Sequence, residues 1–290
     1  WVSVAPQGDR VAYQTLGHIY VRDLPAGKPR RLTQQQRHFE FYPSFSRDGR
    51  YLVYTTWNDQ ALGSVRIASV DPTAGENWEV TQQPGHYTEP VFSPNGKVVV
   101  YRKQSGGNIT SPLWSRDTGL YSIAVRDGKA KRISKTGSRP QFGKSNSRVF
   151  FSKIEGNQDA DNRKLCSMDL SGNEERIHYT SAWATDFRVS PDELSIAFIE
   201  RFHVYVAPFV QTGATVTVGP DVKSLPIKRV SEDAGDFIHF SGDSQKIYWS
   251  LGPDLYACEV DADEPNPTKT AIGFQTKHIK GLLYPTTRDR

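Results

Sequence analysis

Hydrophobic residues along this chain recur with a period of two over short stretches, broken by polar turns, and nowhere with the 3.6-residue period of a long amphipathic helix. The pattern itself repeats. Segments of one shape begin at Ala5, Ser46, Ser93, Gly143, Ser190 and Ser241, between 41 and 51 residues apart. Six residues beyond each start stand Val11, Leu52, Val99, Val149, Ile196 and Ile247; two further on stands an aromatic, Tyr13, Tyr54, Tyr101, Phe151, Phe198 or Trp249. Such alternation predicts a β-strand with one packed face in every unit. The residues before it, as in Ser46-Arg47-Asp48-Gly49 and Ser93-Pro94-Asn95-Gly96, predict the tight turn that feeds the strand. Asp or Asn closes on the backbone two residues later, and Gly accepts a positive φ.

Another strand follows in each unit: Ile19-Tyr20-Val21, Val65-Arg66-Ile67, Leu120-Tyr121-Ser122, Leu165-Cys166-Ser167, Val204-Tyr205-Val206 and Leu255-Tyr256-Ala257. A charged, apolar, hydroxyl signature ends most units: Arg31-Leu32-Thr33, Glu79-Val80-Thr81, Arg132-Ile133-Ser134 and Arg229-Val230-Ser231. With the strand that precedes each turn, every unit holds four. One small twisted sheet cannot bury both its faces alone, whereas radial stacking covers them with neighbouring sheets. The prediction is therefore an all-β, six-bladed β-propeller of four-stranded antiparallel blades over residues 1–275, with 276–290 a C-terminal tail or linker toward a missing domain. The aromatics at Tyr13, Tyr54, Tyr101, Phe151, Phe198 and Trp249 are expected to be buried between blades. No strand is left over to clasp the ring, so closure is expected to rest on packing between blades one and six.

Composition narrows the function classes. The formal net charge is only +4 and no run of five like charges occurs, so nucleic-acid binding is not expected. Clusters such as Lys129-Ala130-Lys131-Arg132 fit solvated blade edges, where they discourage pairing with other chains. No window approaches eighteen consecutive apolar residues, so no membrane insertion is expected. The chain begins at Trp1 without an initiator Met, which reads as a processed protein or a fragment. Cys166 and Cys258 lack the paired spacing of a zinc site and fall in blades four and six, too far apart to bond; both are expected in the core.

Catalytic chemistry has few candidates. No two of the seven histidines lie within two positions of each other, so no metal-binding His-x-His pair exists, and no cofactor or metal is expected. The nucleophile elbow Gly-x-Ser-x-Gly is missing. Gly137 to Ser145 resembles a phosphate loop but has five residues between its glycines where four are needed, and no helix follows. His38-Phe39-Glu40 matches half of a deaminase signature without its Pro-Cys-x-x-Cys half, and is read as loop sequence.

What remains is a surface. The residue four before each repeat start should ring one mouth of the central channel: Trp1, Tyr42, Glu89, Arg139, Asp186 and Phe237. Aromatic faces with both charge signs suit a peptide, a sugar or a protein loop. The alternative is that the six pack and pair among themselves and close the channel. Long loops are expected on the same face at 55–64, 102–119 and 152–164, carrying Trp57, Asp59, Trp114, Arg116, Asp117, Glu155, Asp159 and Asp161. Trp57 and Trp114, in otherwise polar loops, point to an interface, since Trp and Arg dominate interface hot spots; drift of surface loops is the competing reading.

The Ser-Pro-Asp-Gly turn, the aromatic-ended strand, Ile-Tyr-Val and Arg-Leu-Thr together resemble the repeats of TolB-like propellers over nearly the whole chain. Trp1 to Pro6, Gly17 to Tyr20, Arg201 to Pro208, Arg229 to Ser231 and Trp249 to Tyr256 resemble more narrowly the N-terminal propeller of bacterial proteins whose C-terminal half is a metal-dependent amidohydrolase barrel. Departures are Gln7 and Asn95 where the repeat favours Asp, Arg47 in place of the turn Pro, and the degenerate turn Gly143-Lys144-Ser145-Asn146. The resemblance implies a non-catalytic domain that docks on and gates a C-terminal catalytic barrel. It also allows a free-standing envelope module that binds a protein partner on the channel-mouth face, or a peptide- or carbohydrate-binding propeller related to that of prolyl oligopeptidase. Any of these implies a periplasmic or extracellular location.

Overall fold

The turns explain the fold locally. In four of them a buried Ser hydroxyl donates to the side-chain oxygen two residues on: Ser46 to Asp48 (2.6 Å), Ser93 to Asn95 (2.9 Å), Ser190 to Asp192 (2.5 Å) and Ser241 to Asp243 (2.5 Å). The same hydroxyl accepts the backbone N–H that opens the next strand, at Tyr51, Val98, Ser195 and Lys246. Gly49 and Gly96 take the left-handed position of these turns, with φ of 70° and 69°.

The computed structural model describes residues 1–106, 117–126, 128–157 and 160–272. Six antiparallel four-stranded blades are built from consecutive stretches, 2–31, 39–79, 85–134, 138–181, 184–229 and 236–271, and no helix occurs among the described residues. Blade four carries one strand more. Val216–Thr217, from the connection between the third and outer strands of blade five, lies parallel to the outer strand Arg176–Ser181. The segment 152–164, expected as a loop, is instead a hairpin. Its strands Arg148–Asn157 and Ala160–Asp169 stay paired residue by residue out to Asn157 and Ala160. The half-signature at His38-Phe39-Glu40 is likewise not loop sequence, since Phe39–Phe45 is the inner strand of blade two.

All six predicted aromatics are buried, none more than 5% exposed. Four stack on the Tyr directly across the strand pair: Tyr13 on Tyr20, Tyr101 on Tyr121, Phe198 on Tyr205 and Trp249 on Tyr256. The hydroxyl of the unit-ending signature also has a task. Thr81 and Ser231 accept the N–H of Val65 (3.0 Å) and Val204 (2.9 Å), amides that open the third strand. Both cysteines are buried and free, and burial pushes the Cys166 thiol up to about 12.

Blades one and six meet without a shared strand. Val4, Val11, Tyr13, Tyr248, Leu255 and Ile272 form their common core. Arg22 adds a bond to the Ala271 carbonyl (2.6 Å), and Gly242 N–H one to the Pro6 carbonyl (2.7 Å).

Candidate functional site

The six ring residues come together. Trp1, Tyr42, Glu89, Arg139, Asp186 and Phe237 all line one cavity of about 390 Å³ at the start of the inner strands. A backbone device aims them there. Tyr42, Glu89, Arg139 and Phe237 have positive φ, between 52° and 55°, and each sits in a bulge where two inner-strand residues face one residue of the second strand. That facing residue is the buried aromatic: Tyr54, Tyr101, Phe151 or Trp249. In three bulges the second residue is Pro43, Pro90 or Pro140, which has no N–H to leave unpaired in the broken ladder.

The ring partly pairs with itself. The Arg139 N–H donates to Glu89 (2.6 Å), and its guanidinium lies 3.1 Å from Asp186 while donating to the Thr185 carbonyl. Burial opposes the charge of Arg139, but Asp186, then Glu89 and Asp236, outweigh it and hold the guanidinium above its usual value. Trp1 and Tyr42 pack with ring centroids 4.3 Å apart. Below the ring lie two channel residues that spacing alone did not single out. Arg188 pairs with Asp186 (3.3 Å), and His239 Nδ1 contacts the Phe237 carbonyl (2.7 Å).

Burial, and secondarily Arg188, lowers the His239 pKa to about 4. A folded pKa below the unfolded one means that only the unfolded chain binds this proton between the two values. The stability contribution is complete above about pH 6.5 and declines by roughly 3 kcal/mol as pH falls toward 4. Denaturant titrations at about pH 7.5 and 4.5 should show the wild type losing about 2 kcal/mol more than His239→Asn. Equal losses would place the acid sensitivity elsewhere, for instance at His38, His86 or His178, which burial shifts in the same direction.

Of the two tryptophans expected in loops, Trp57 instead ends the second strand of blade two, Tyr51–Trp57, where it pairs with Phe39, is half-buried, donates its indole N–H to Asp59 (2.8 Å) and packs on His86. Trp114, Arg116 and Asp159 lie outside the described residues. Most of the exposed large apolar side chains among the described residues gather elsewhere on this face, Ile177 and Leu194 excepted. Leu16, Phe39, Ile154, Trp183 and Phe202 are each more than half exposed, and Trp1 is 38% exposed. Every one lies at the mouth end of its blade, in a hairpin turn, a blade-to-blade connection, the paired extension of blade four or the start of an inner strand.

Two of these side chains stand where the backbone disfavours them. Arg201-Phe202 is a two-residue hairpin turn with φ of 48° and 73°, and Leu16-Gly17 is another with 50° and 79°. Such turns favour Asn-Gly, and a bulky residue there is strained. Yet the turns expose Phe202 at 77% and Leu16 at 81%. Beside them a second cavity of about 630 Å³ runs along the seam of blades five, six and one, shares Trp1, Arg139 and Phe237 with the ring, and is bordered by Phe202 and Ile272. Among the described residues no group of three or more His, Cys, Asp or Glu converges as a metal site.

No protein-family model matches the chain. Over 92 residues it is 29% identical to the Tol-Pal system protein TolB of Francisella tularensis, a match covering 32% of this chain and 19% of that protein. The chain thus spans about a fifth of the length of the curated relatives it matches. The crystal structure of TolB from Acinetobacter baumannii superposes with a TM-score of 0.57 at 16% identity, covering 80% of this chain and 54% of that one. An oligogalacturonate lyase from Vibrio parahaemolyticus gives 0.59 at 8% identity, covering 94% and 77%. These similarities establish a TolB-like β-propeller fold.

Proposed function

We propose that this propeller is a non-catalytic binding module whose channel-mouth face receives a protein partner. The observation that carries the reading is the strained display of Phe202 and Leu16: bulky apolar side chains held exposed in turns that favour small residues. The ring of Trp1, Tyr42, Glu89, Arg139, Asp186 and Phe237 supplies a concave centre with both charge signs, and the exposed apolar residues supply area around it. Trp57 and Trp114 belong to the same surface in this proposal. In the finer form the partner is a metal-dependent amidohydrolase barrel in the same polypeptide, which the propeller docks on and gates. In the other it is a separate envelope protein, a form favoured by the similarity to TolB. In either form we propose a periplasmic or extracellular location, supported by the similarity to TolB.

A photo-crosslinking residue at position 202 or 183, introduced in the native host, separates the two forms. Adducts within one polypeptide are expected for a linked barrel, and adducts to one defined second protein for an envelope module. Position 194, exposed on the opposite face, should give neither. Equal adducts from 194 and 202, or none from 202 and 183, would refute the proposal.

A further inference from the structure

The face opposite the mouth carries the Asx turns, and three of its inter-blade clefts are filled at those turns. A Cβ added to Gly49 would meet Gln7 of blade one, one at Gly143 would meet Glu193 of blade five, and one at Gly8 would meet Tyr248 of blade six. Between blades two and three the pattern breaks. A Cβ at Gly96 would meet nothing within 4 Å, and the cleft opens into a cavity of about 630 Å³.

Its lining is basic and aromatic. Arg47, Arg50, Lys97 and Arg126 face a single carboxylate among the described lining residues, that of Asp48. Arg50 already pairs with Asp48 at 3.1 Å, and the Arg47 guanidinium reaches toward blade four and feels the Glu193 carboxylate, which leaves Lys97 and Arg126 without an acidic partner in the cleft. Arg47 stands where other turns have Pro6, Pro94 and Pro191, and it donates to the Gly143 carbonyl at 2.9 Å. Arg126 lies over the Trp78 indole, 4.2 Å from the ring centroid, while Trp78 donates its own N–H to the Val125 carbonyl at 3.3 Å. Tyr51 meets Trp78 edge-on at 5.7 Å, and Arg50 lies over the Tyr51 ring at 5.5 Å. A guanidinium held on a ring loses less side-chain freedom when a carboxylate binds it.

We infer that this cleft between blades two and three is a second binding site, independent of the mouth face, for a short acidic peptide segment. Charge complementarity selects the anion, with Lys97 and Arg126 unpaired beside one groove. The covered rings select the class. A nucleobase or a sugar would need a bare aromatic face to stack on, and here cations already lie over Trp78 and Tyr51. Side-chain carboxylates along a flexible chain need only the cations, and the volume lies within the range of ligand sites.

Fluorescence anisotropy with fluorescein-labelled hexaglutamate tests the site, with hexaglutamine as the neutral probe. Saturable binding of hexaglutamate is expected, at least about tenfold weaker in Lys97→Ala/Arg126→Ala, whose side chains are exposed and whose loss spares the core. Lys223→Ala/Arg176→Ala, which removes the same charge from blades four and five, should bind as the wild type does. Equal weakening by both pairs would reduce the effect to diffuse attraction and overturn the site. So would absence of saturation at millimolar peptide, equal binding of hexaglutamine, or binding of a galacturonate hexamer in place of the peptide.

Discussion

Phe198→Ala is expected to lower stability by about 3 to 5 kcal/mol, the range for emptying a phenylalanine site in a packed core. Phe198 is fully buried in a cluster shared by blades four and five. Its ring stacks on Tyr205 at 5.2 Å and lies 6.2 Å from Phe187. These neighbours belong to separate strands held by their own ladders, so they cannot collapse into the void. Denaturant unfolding of the wild type, Phe198→Ala and Phe198→Leu provides the check. Leucine keeps most of the volume and should cost less than half as much; a loss below about 1 kcal/mol for the alanine variant would contradict inter-blade packing as the main source of stability.

Glu40→Ala is expected to cost a similar 3 to 5 kcal/mol for a different reason, the loss of one buried partner from a hydrogen-bonded charge site. The Glu40 carboxylate is wholly buried between blades one and two. It accepts the Ile19 N–H at 2.9 Å, the Gln35 side-chain amide at 2.7 Å and the Thr33 hydroxyl. Blade one thus departs from the rule seen at Thr81 and Ser231. Here the carboxylate takes the amide that opens the third strand, and Thr33 turns to the carboxylate. Removing it leaves the Ile19 N–H and the Thr33 hydroxyl without that acceptor and the Gln35 amide with only the His38 carbonyl, all in a buried seam. Glu40→Gln keeps one acceptor and should fall between the wild type and Glu40→Ala in thermal unfolding. An alanine variant as stable as the wild type would mean that water replaces the carboxylate.

The repeat was legible because each blade solves the same packing problem with the same residues. In four blades the aromatic eight residues past the turn meets a Tyr across the strand pair, so Tyr13, Tyr101, Phe198 and Trp249 announce their blades despite little other identity, while Tyr54 and Phe151 face Arg66 and Cys166. The ring was legible by counting back from the same turns. Its geometry was encoded too, though less openly: a proline inside an otherwise regular strand, as at Pro43, Pro90 and Pro140, marks a broken ladder and hence a bulge. The bulge at Phe237 carries no such sign, because a left-handed φ in a residue other than Gly leaves none. Phe202 and Trp183 lie in short connections, where loop length gives no signal. The usable signal was a bulky residue in a two-residue turn. The open cleft at Gly96 could not be read at all, since it depends on what blade two fails to place there.

On the proposed function the mouth face trades local backbone comfort for binding, and one pair of substitutions separates the two. Arg201→Asn with Phe202→Gly gives the turn the residues its backbone favours, so stability should rise by about 0.5 to 1 kcal/mol. The same change removes an exposed aromatic anchor, so affinity for the crosslinked partner, measured by titration calorimetry, should fall by about 30-fold or more. For a linked barrel the two halves are titrated as separate chains. Leu194→Asp on the opposite face serves as the reference, with affinity unchanged. A more stable variant that binds weakly is the predicted result; a variant that binds as tightly as the wild type would contradict the assignment of this face as the binding surface.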